Sequence, residues 1–218
     1  MSDTQAKESD IPGLAQAIER YGPPIERCFV QQVSEETFRY WESVRRKRNA
    51  EVVILLRRKN GRYLVHTKGF YPPGTYRLIS GGIKPNEDLL DAVQRETHEE
   101  TGLEVRIERF LGLLRYRFQW QAPDWIGGVG GLPPNETIGG LPFTSCLFAV
   151  AEQGGTLGLN DPGEAISGYR EVSLQELGAL AEQLEALPPE WNDWGRFRAM
   201  AHRFILEVLD EGYDSSLA

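Results

Sequence analysis

The chain is poor in cysteine: Cys28 and Cys146 are the only two in 218 residues. They form no metal-ligand spacing and no disulfide framework, so both are expected as buried or incidental thiols in a reducing cytoplasm. Long hydrophobic runs are missing as well. No stretch reaches eighteen apolar residues, so no membrane-spanning helix is expected. The opening MSDTQAKESD is polar and lacks the apolar core of a secretion signal. Positive charge is in deficit, with 24 Lys and Arg against 32 Asp and Glu, a formal net charge of −8. That balance argues against a broad electrostatic surface for nucleic acid. A small phosphorylated ligand remains compatible with it, because a bound cation inverts the local field.

What the chain does have is acid in a fixed pattern. Residues 81–103 read GGIKPNEDLLDAVQRETHEETGL. Glu96 and Glu100 are four apart, and Glu96 and Glu99 three apart, so a helix puts all three on one face. Three carboxylates that close repel one another, and a divalent cation between them removes the conflict. Oxygen-only ligands suit Mg²⁺ or Mn²⁺. The flanks support a loop entering a helix. Asn86 is the best non-glycine residue for a positive φ. Asp88 suits the positive end of the helix dipole, and Gly102 suits a helix stop. Arg95, four residues before Glu99, can pair with it and orient it.

This segment resembles the Nudix box, G-x5-E-x7-R-E-U-x-E-E-x-G-U, with U a bulky apolar residue. Gly81, Glu87, Arg95, Glu96, Glu99, Glu100 and Gly102 fill all seven fixed positions, and Leu103 fills the final U. Thr97 departs from the pattern, which usually has an aliphatic residue there. The resemblance implies an αβα sandwich of the α/β (α+β) class with a mixed sheet. It also implies hydrolysis of a diphosphate in a nucleoside diphosphate linked to another group. Examples are a nucleotide sugar, an ADP-ribose-like compound, a dinucleoside polyphosphate or a nucleoside triphosphate. The implied metal ligands are Glu96, Glu99 and Glu100 with the Gly81 carbonyl, and Glu87 supports them. Glu99, Glu100 and Arg95 are the catalytic candidates. The family often adds a carboxylate from the loop before the last strand. Glu164 in NDPGEAISG is the candidate, with Asp161 and Glu136 as weaker rivals. Two alternatives stay open: a nucleotide sensor without turnover, and an RNA 5′-end pyrophosphohydrolase. Subfamily signatures do not choose a substrate. There is no SQPWPxPxS-like array, and Gln119, Trp120 and Gln121 stand where the dinucleoside polyphosphate enzymes often carry Tyr.

Along the chain, residues 1–48 read as an N-terminal extension whose first eleven residues are disordered. Ser34 caps a helix running to about Arg48, with Phe38 and Trp41 on one face. Its basic run, residues 45–48, reads as a solvated helix end, with a phosphate or RNA contact as the sharper alternative. Residues 49–187 read as the core domain. AEVVILLRR is a buried strand, and Asn60-Gly61 turns it into a hairpin. Residues 104–120 alternate, with Leu114, Tyr116, Phe118 and Trp120 on one face and Arg115, Arg117 and Gln119 on the other. Tyr116, Trp120 and Trp125 are candidates to stack a base, and Arg115 and Arg117 to meet its phosphates. The Gly- and Pro-rich stretch 121–142 reads as a loop or lid. Ser173 and Glu176 form a capping box. Residues 188–218 add an amphipathic helix that packs on the core or on a second subunit, so a homodimer is the alternative to a monomer.

Overall fold

The computed structural model describes residues 11–48, 50–121, 137–159 and 162–210. Three elements precede the core domain: α1 (Leu14–Tyr21), β1 (Ile25–Gln32) and α2 (Glu35–Arg45). Then come β2 (Ala50–Arg57), β3 (Tyr63–Lys68), β4 (Arg77–Gly82) and α3 (Leu89–Thr101). Two long strands follow, β5 (Leu103–Gln121) and β6 (Thr137–Gly155). A 3-10 turn at Pro162–Glu164, β7 (Ile166–Val172), α4 (Leu174–Glu185) and α5 (Pro189–Asp210) complete the order.

The seven strands among the described residues join one mixed sheet in the order β1-β5-β6-β2-β4-β3-β7. β2 lies at its centre, parallel to β6 and antiparallel to β4. Its first seven residues are buried without alternation, as expected of a strand covered on both faces. On one face α1 and α3 contribute Ala17, Leu89 and Val93 to a cluster with Val52, Ile54 and Phe148. On the other face α2, α4 and α5 contribute Trp41, Leu177 and Phe197 to a cluster with Val53, Leu55 and Phe118. The architecture is therefore a helix–sheet–helix sandwich. α5 lays Phe197, Ala201, Phe204, Ile205 and Val208 into that second cluster, so its apolar stripe is covered by its own chain. Among the described residues no helix is long and apolar enough to cross a membrane.

Two expectations change. The segment before residue 49 is more than a helical extension, because β1 pairs in parallel with β5 from Ile25↔Gly112 to Gln32↔Gln119. β1 leaves no clear apolar pattern in the sequence because it lies at a sheet edge, partly exposed along most of its length. The ends of the stretch 121–142 are strand, not loop. Gln121 ends β5 and residues 137–142 belong to β6. Residues 122–136, with the lid assignment, Trp125 and Glu136, lie outside the described residues, as does Asp161. Cys146 is buried and Cys28 is exposed, both as free thiols.

Candidate metal centre

α3 begins at Asp88, whose side chain accepts from the Leu90 N–H. It ends at Gly102, held in the left-handed region at φ 68°. Asn86 also takes a positive φ, 62°. The helix buries Leu89, Ala92, Val93, Glu96, Thr97 and Glu100 against the sheet. Thr97, the departure from the pattern, donates its hydroxyl to the Val93 carbonyl at 2.8 Å. A polar atom is thereby satisfied under the helix without a new partner.

Arg95 organises the acids. It donates to both Glu87 oxygens at 2.5 and 2.8 Å. One further nitrogen, Nη1, reaches Glu96 and Glu99, each at 2.7 Å. Nη2 also donates to the Gly82 carbonyl at 2.9 Å. These bonds, led by the one to Glu87, raise the guanidinium pKa, so it stays charged. Burial opposes ionisation of Glu87, but bonds from Arg95 and the Lys84 N–H hold its carboxyl below the usual range. Glu96 is the reverse case: burial wins over Arg95 and pushes it up to about 7.

Glu164 arrives from the other end of the chain. Its turn is followed by Ala165 at φ 54°, a conformation that costs a non-glycine residue about 1–2 kcal/mol. The Ala165 carbonyl accepts from the Gly69 N–H at 3.0 Å, which ties the turn to the end of β3. Lys68 then bridges two acids, 2.7 Å from Glu164 and 3.0 Å from Glu100. Burial opposes the charge on Glu164, and the Lys68 bond overcomes it, so its carboxyl sits below the usual range. Glu100 is fully buried, and burial pushes its pKa up. Its Oε2 accepts from the Ser80 N–H at 3.3 Å.

One carboxylate oxygen from each of Glu96, Glu99 and Glu164 falls within 4.8 Å of the others. Gly81 makes room for this: a Cβ there would lie 1.8 Å from the Glu96 carboxyl carbon. Three hard oxygen donors that close, with no sulfur or imidazole among them, fit Mg²⁺ or Mn²⁺.

The chain belongs to the Nudix family. The family model described as NUDIX domain matches residues 47–195, more than half of the chain. A 96-residue stretch is 37% identical to "Nudix hydrolase 19, chloroplastic" of Arabidopsis thaliana, covering 44% of this chain and 20% of that protein. A 66-residue stretch is 35% identical to the NAD-capped RNA hydrolase NudC of Vibrio parahaemolyticus, covering 30% of this chain and 25% of that protein. The chain thus matches a quarter or less of the length of these curated relatives. A solved NUDIX hydrolase from Nitrosomonas europaea matches at a TM-score of 0.45 and 19% identity, covering 76% of this chain and 74% of that one.

Not every candidate from the sequence reaches the Nudix site. Glu96, Glu99, Glu164, Glu87, Arg95 and Gly81 converge there. Glu100 stands one step behind, joined through Lys68. Tyr116 is a core residue, stacked on Phe29 and Phe118 and edge-on to Phe197, so no ligand ring can lie on it. Trp120 packs near Phe38 and lines a different cleft, with Gln32, Asp193 and Arg196. Arg115 pairs with Glu26 of β1 at 3.2 Å, and Arg117 is exposed two residues farther along β5. Alternation along β5 gave the two faces correctly but could not say that neither one borders the acids.

The residues that do border the acids line a cleft of about 690 Å³. Glu96, Glu99, Glu164 and Arg95 form one side, and Tyr40, Ser43, Val44, Lys47 and Arg48 form another. Lys84 also lines the cleft, 3.6 Å from Glu99. The basic run was a visible signal for Lys47 and Arg48. Lys68 carried none, since a single lysine at a strand end is unremarkable.

Proposed function

We propose that this Nudix chain is a pyrophosphohydrolase that uses Mg²⁺ or Mn²⁺. Its substrate is a nucleoside diphosphate linked to another group, and water adds across the P–O–P bond to leave two phosphate monoesters. One observation carries the reading: Glu164, from the last loop, comes within 4.8 Å of Glu96 and Glu99 on the box helix. A surface loop acid has no reason to be held there by a half-buried lysine.

In this reading Glu96, Glu99 and Glu164 hold the cation, and Glu100 contributes through Lys68. When bound, the cation supplies neutralisation of the diphosphate oxygens and of the charge that builds at phosphorus. Arg95 fixes the rotamers of Glu87, Glu96 and Glu99 so that no reorganisation is needed on binding. Lys68 does the same for Glu164. Glu99 and Glu164 keep about a quarter of their side-chain surface exposed. They are the carboxylates that water reaches, and one of them accepts its proton. Lys84 offers a cation at the rim for a phosphate oxygen. The full carboxylate set favours turnover over ligand sensing, and the net charge of −8 favours a small substrate over RNA. Two free thiols fit a reducing compartment.

The test is a chromatographic screen for product monophosphates in Mg²⁺ over nucleoside triphosphates, nucleotide sugars, ADP-ribose, dinucleoside polyphosphates and capped RNA. On the best substrate, Glu99→Gln and Glu164→Gln are each expected to lower kcat by on the order of 10² with unchanged melting. Turnover near wild type in both variants would sink the assignment.

A further inference from the structure

The helix that precedes the core domain forms a wall of the acidic cleft. Tyr40, Ser43, Val44, Lys47 and Arg48 all line it. Their spacing is i, i+3, i+4, i+7 and i+8, a single helical stripe. α2 itself ends at Arg45, but the N–H groups of Lys47 and Arg48 both donate to the Val44 carbonyl, at 2.9 and 3.0 Å. The winding therefore continues far enough to keep the stripe in line. Most of this wall lies ahead of the segment matched by the family model, which starts at residue 47.

The wall is held in place. Trp41, one residue from Tyr40, is buried and stacks on Phe118 with ring centroids 4.4 Å apart. Ser34 caps the start of the helix through the Thr37 N–H at 3.2 Å. At the far end Arg48 lies against Gly82, where a Cβ would be 2.0 Å from its Nη1. The carbonyl of that same Gly82 accepts from Arg95. Arg48 and Arg95 thus flank one residue of the box.

Its chemistry differs from that of the acids opposite. Tyr40 is 55% exposed, one of the few large apolar rings on the described surface, and it meets Trp41 edge-on at 5.6 Å. More than half of the residue stays open, and it lines the cleft. Lys47 and Arg48 form no ion pair among the described residues, although the protein as a whole is acidic. An exposed aromatic side chain beside two unpaired cations, across a cleft from a carboxylate triad, is a complementary surface for a flat ring carrying phosphate.

Resting on the hydrolase reading above, we infer that the α2 wall is the specificity side of the cleft. Tyr40 stacks the base of a nucleoside diphosphate, and Lys47 and Arg48 hold a phosphate that the acids do not. Of these two contacts, ligands without an aromatic ring make only the second.

Calorimetric titration of the full-length protein in Mg²⁺ with ADP and with inorganic pyrophosphate tests this, using both Kd values. Tyr40→Ala is expected to weaken ADP about tenfold or more and leave pyrophosphate unchanged, and Tyr40→Phe to restore ADP. Lys47→Ala combined with Arg48→Ala is expected to weaken both ligands and to flatten their salt dependence. Equal losses for ADP and pyrophosphate in Tyr40→Ala, or none for either, overturn the stacking role. Wild-type protein that binds pyrophosphate but not ADP overturns the nucleoside assignment while leaving the hydrolase reading intact. A wild type that hydrolyses nothing in the screen fails at that earlier step instead.

Discussion

At the scale of single residues, the centre depends on one position that has no side chain. Gly81 sits where any Cβ would occupy the space of the Glu96 carboxylate. The atoms it would meet are the far end of a flexible side chain, so the helix can keep its place while the carboxylate swings out. Gly81→Ala is therefore expected to leave the melting temperature within a few degrees of wild type. Metal-dependent turnover should fall by on the order of 10², the scale of losing a preorganised electrostatic group. The paired measurements are thermal melting and activity across a Mg²⁺ series. A large fall in stability with normal specific activity would mean that Gly81 serves packing instead.

At the scale of elements, the approach of α2 to the cleft is set from α5. The Ser34 N–H donates to Asp193 Oδ2 at 2.8 Å, and Arg196 donates to Oδ1 at 2.7 Å. The Asp193 carbonyl accepts from Gln31 at 2.8 Å, which ties in the end of β1. Burial pushes the Asp193 carboxyl up, but its bonds from the Ser34 N–H and Arg196 outweigh that and hold it below its ordinary value. A depressed carboxyl contributes stability above its unfolded pKa of about 3.9 and loses it as pH falls through the lower folded value. Asp193→Asn should thus melt a few degrees below wild type at pH 7, corresponding to about 1 kcal/mol. The gap should close as the pH is lowered through about 4 and below. Melts at a series of pH values check this, and a gap that stays constant with pH would rule out the charge as its source.

At the scale of the whole molecule, the segment before residue 49 completes the sheet. β1 pairs with eight consecutive residues of β5. Removing residues 1–32 takes away α1 and β1 and leaves the backbone groups of β5 unpaired along that edge. Unpaired edges of this length recruit other chains. The truncated protein is expected to melt earlier than the full chain and to self-associate in sedimentation, where the full-length protein stays in its own state. A shortened chain that matches the full one in both measurements would show β1 to be an ornament on an already complete sheet.

Local chemistry was legible because its causes are local. The hairpin at Asn60-Gly61, the Ser34 cap, the Ser173–Glu176 capping box and the Gly102 stop depend on residues a few positions apart, and each is present. The box acids could be placed on one helix face by spacing alone, and their chemistry implied a hard cation. Long-range placement could not be read that way. β1 meets β5 across more than eighty residues, and nothing in its half-exposed pattern names a partner. Glu51 looks like an exposed polar residue in a strand, yet it is buried with Arg198 of α5 3.0 Å away. Tyr116 and Tyr40 look alike as aromatics in amphipathic elements; packing buried the first and left the second open on the cleft. The sequence by itself determined which residues could hold a cation. Only the tertiary structure decided that Glu164 and Lys68 join them and that α2 faces them. Spacing fixes neighbours within an element, while the meeting of distant elements depends on how their apolar faces pack together.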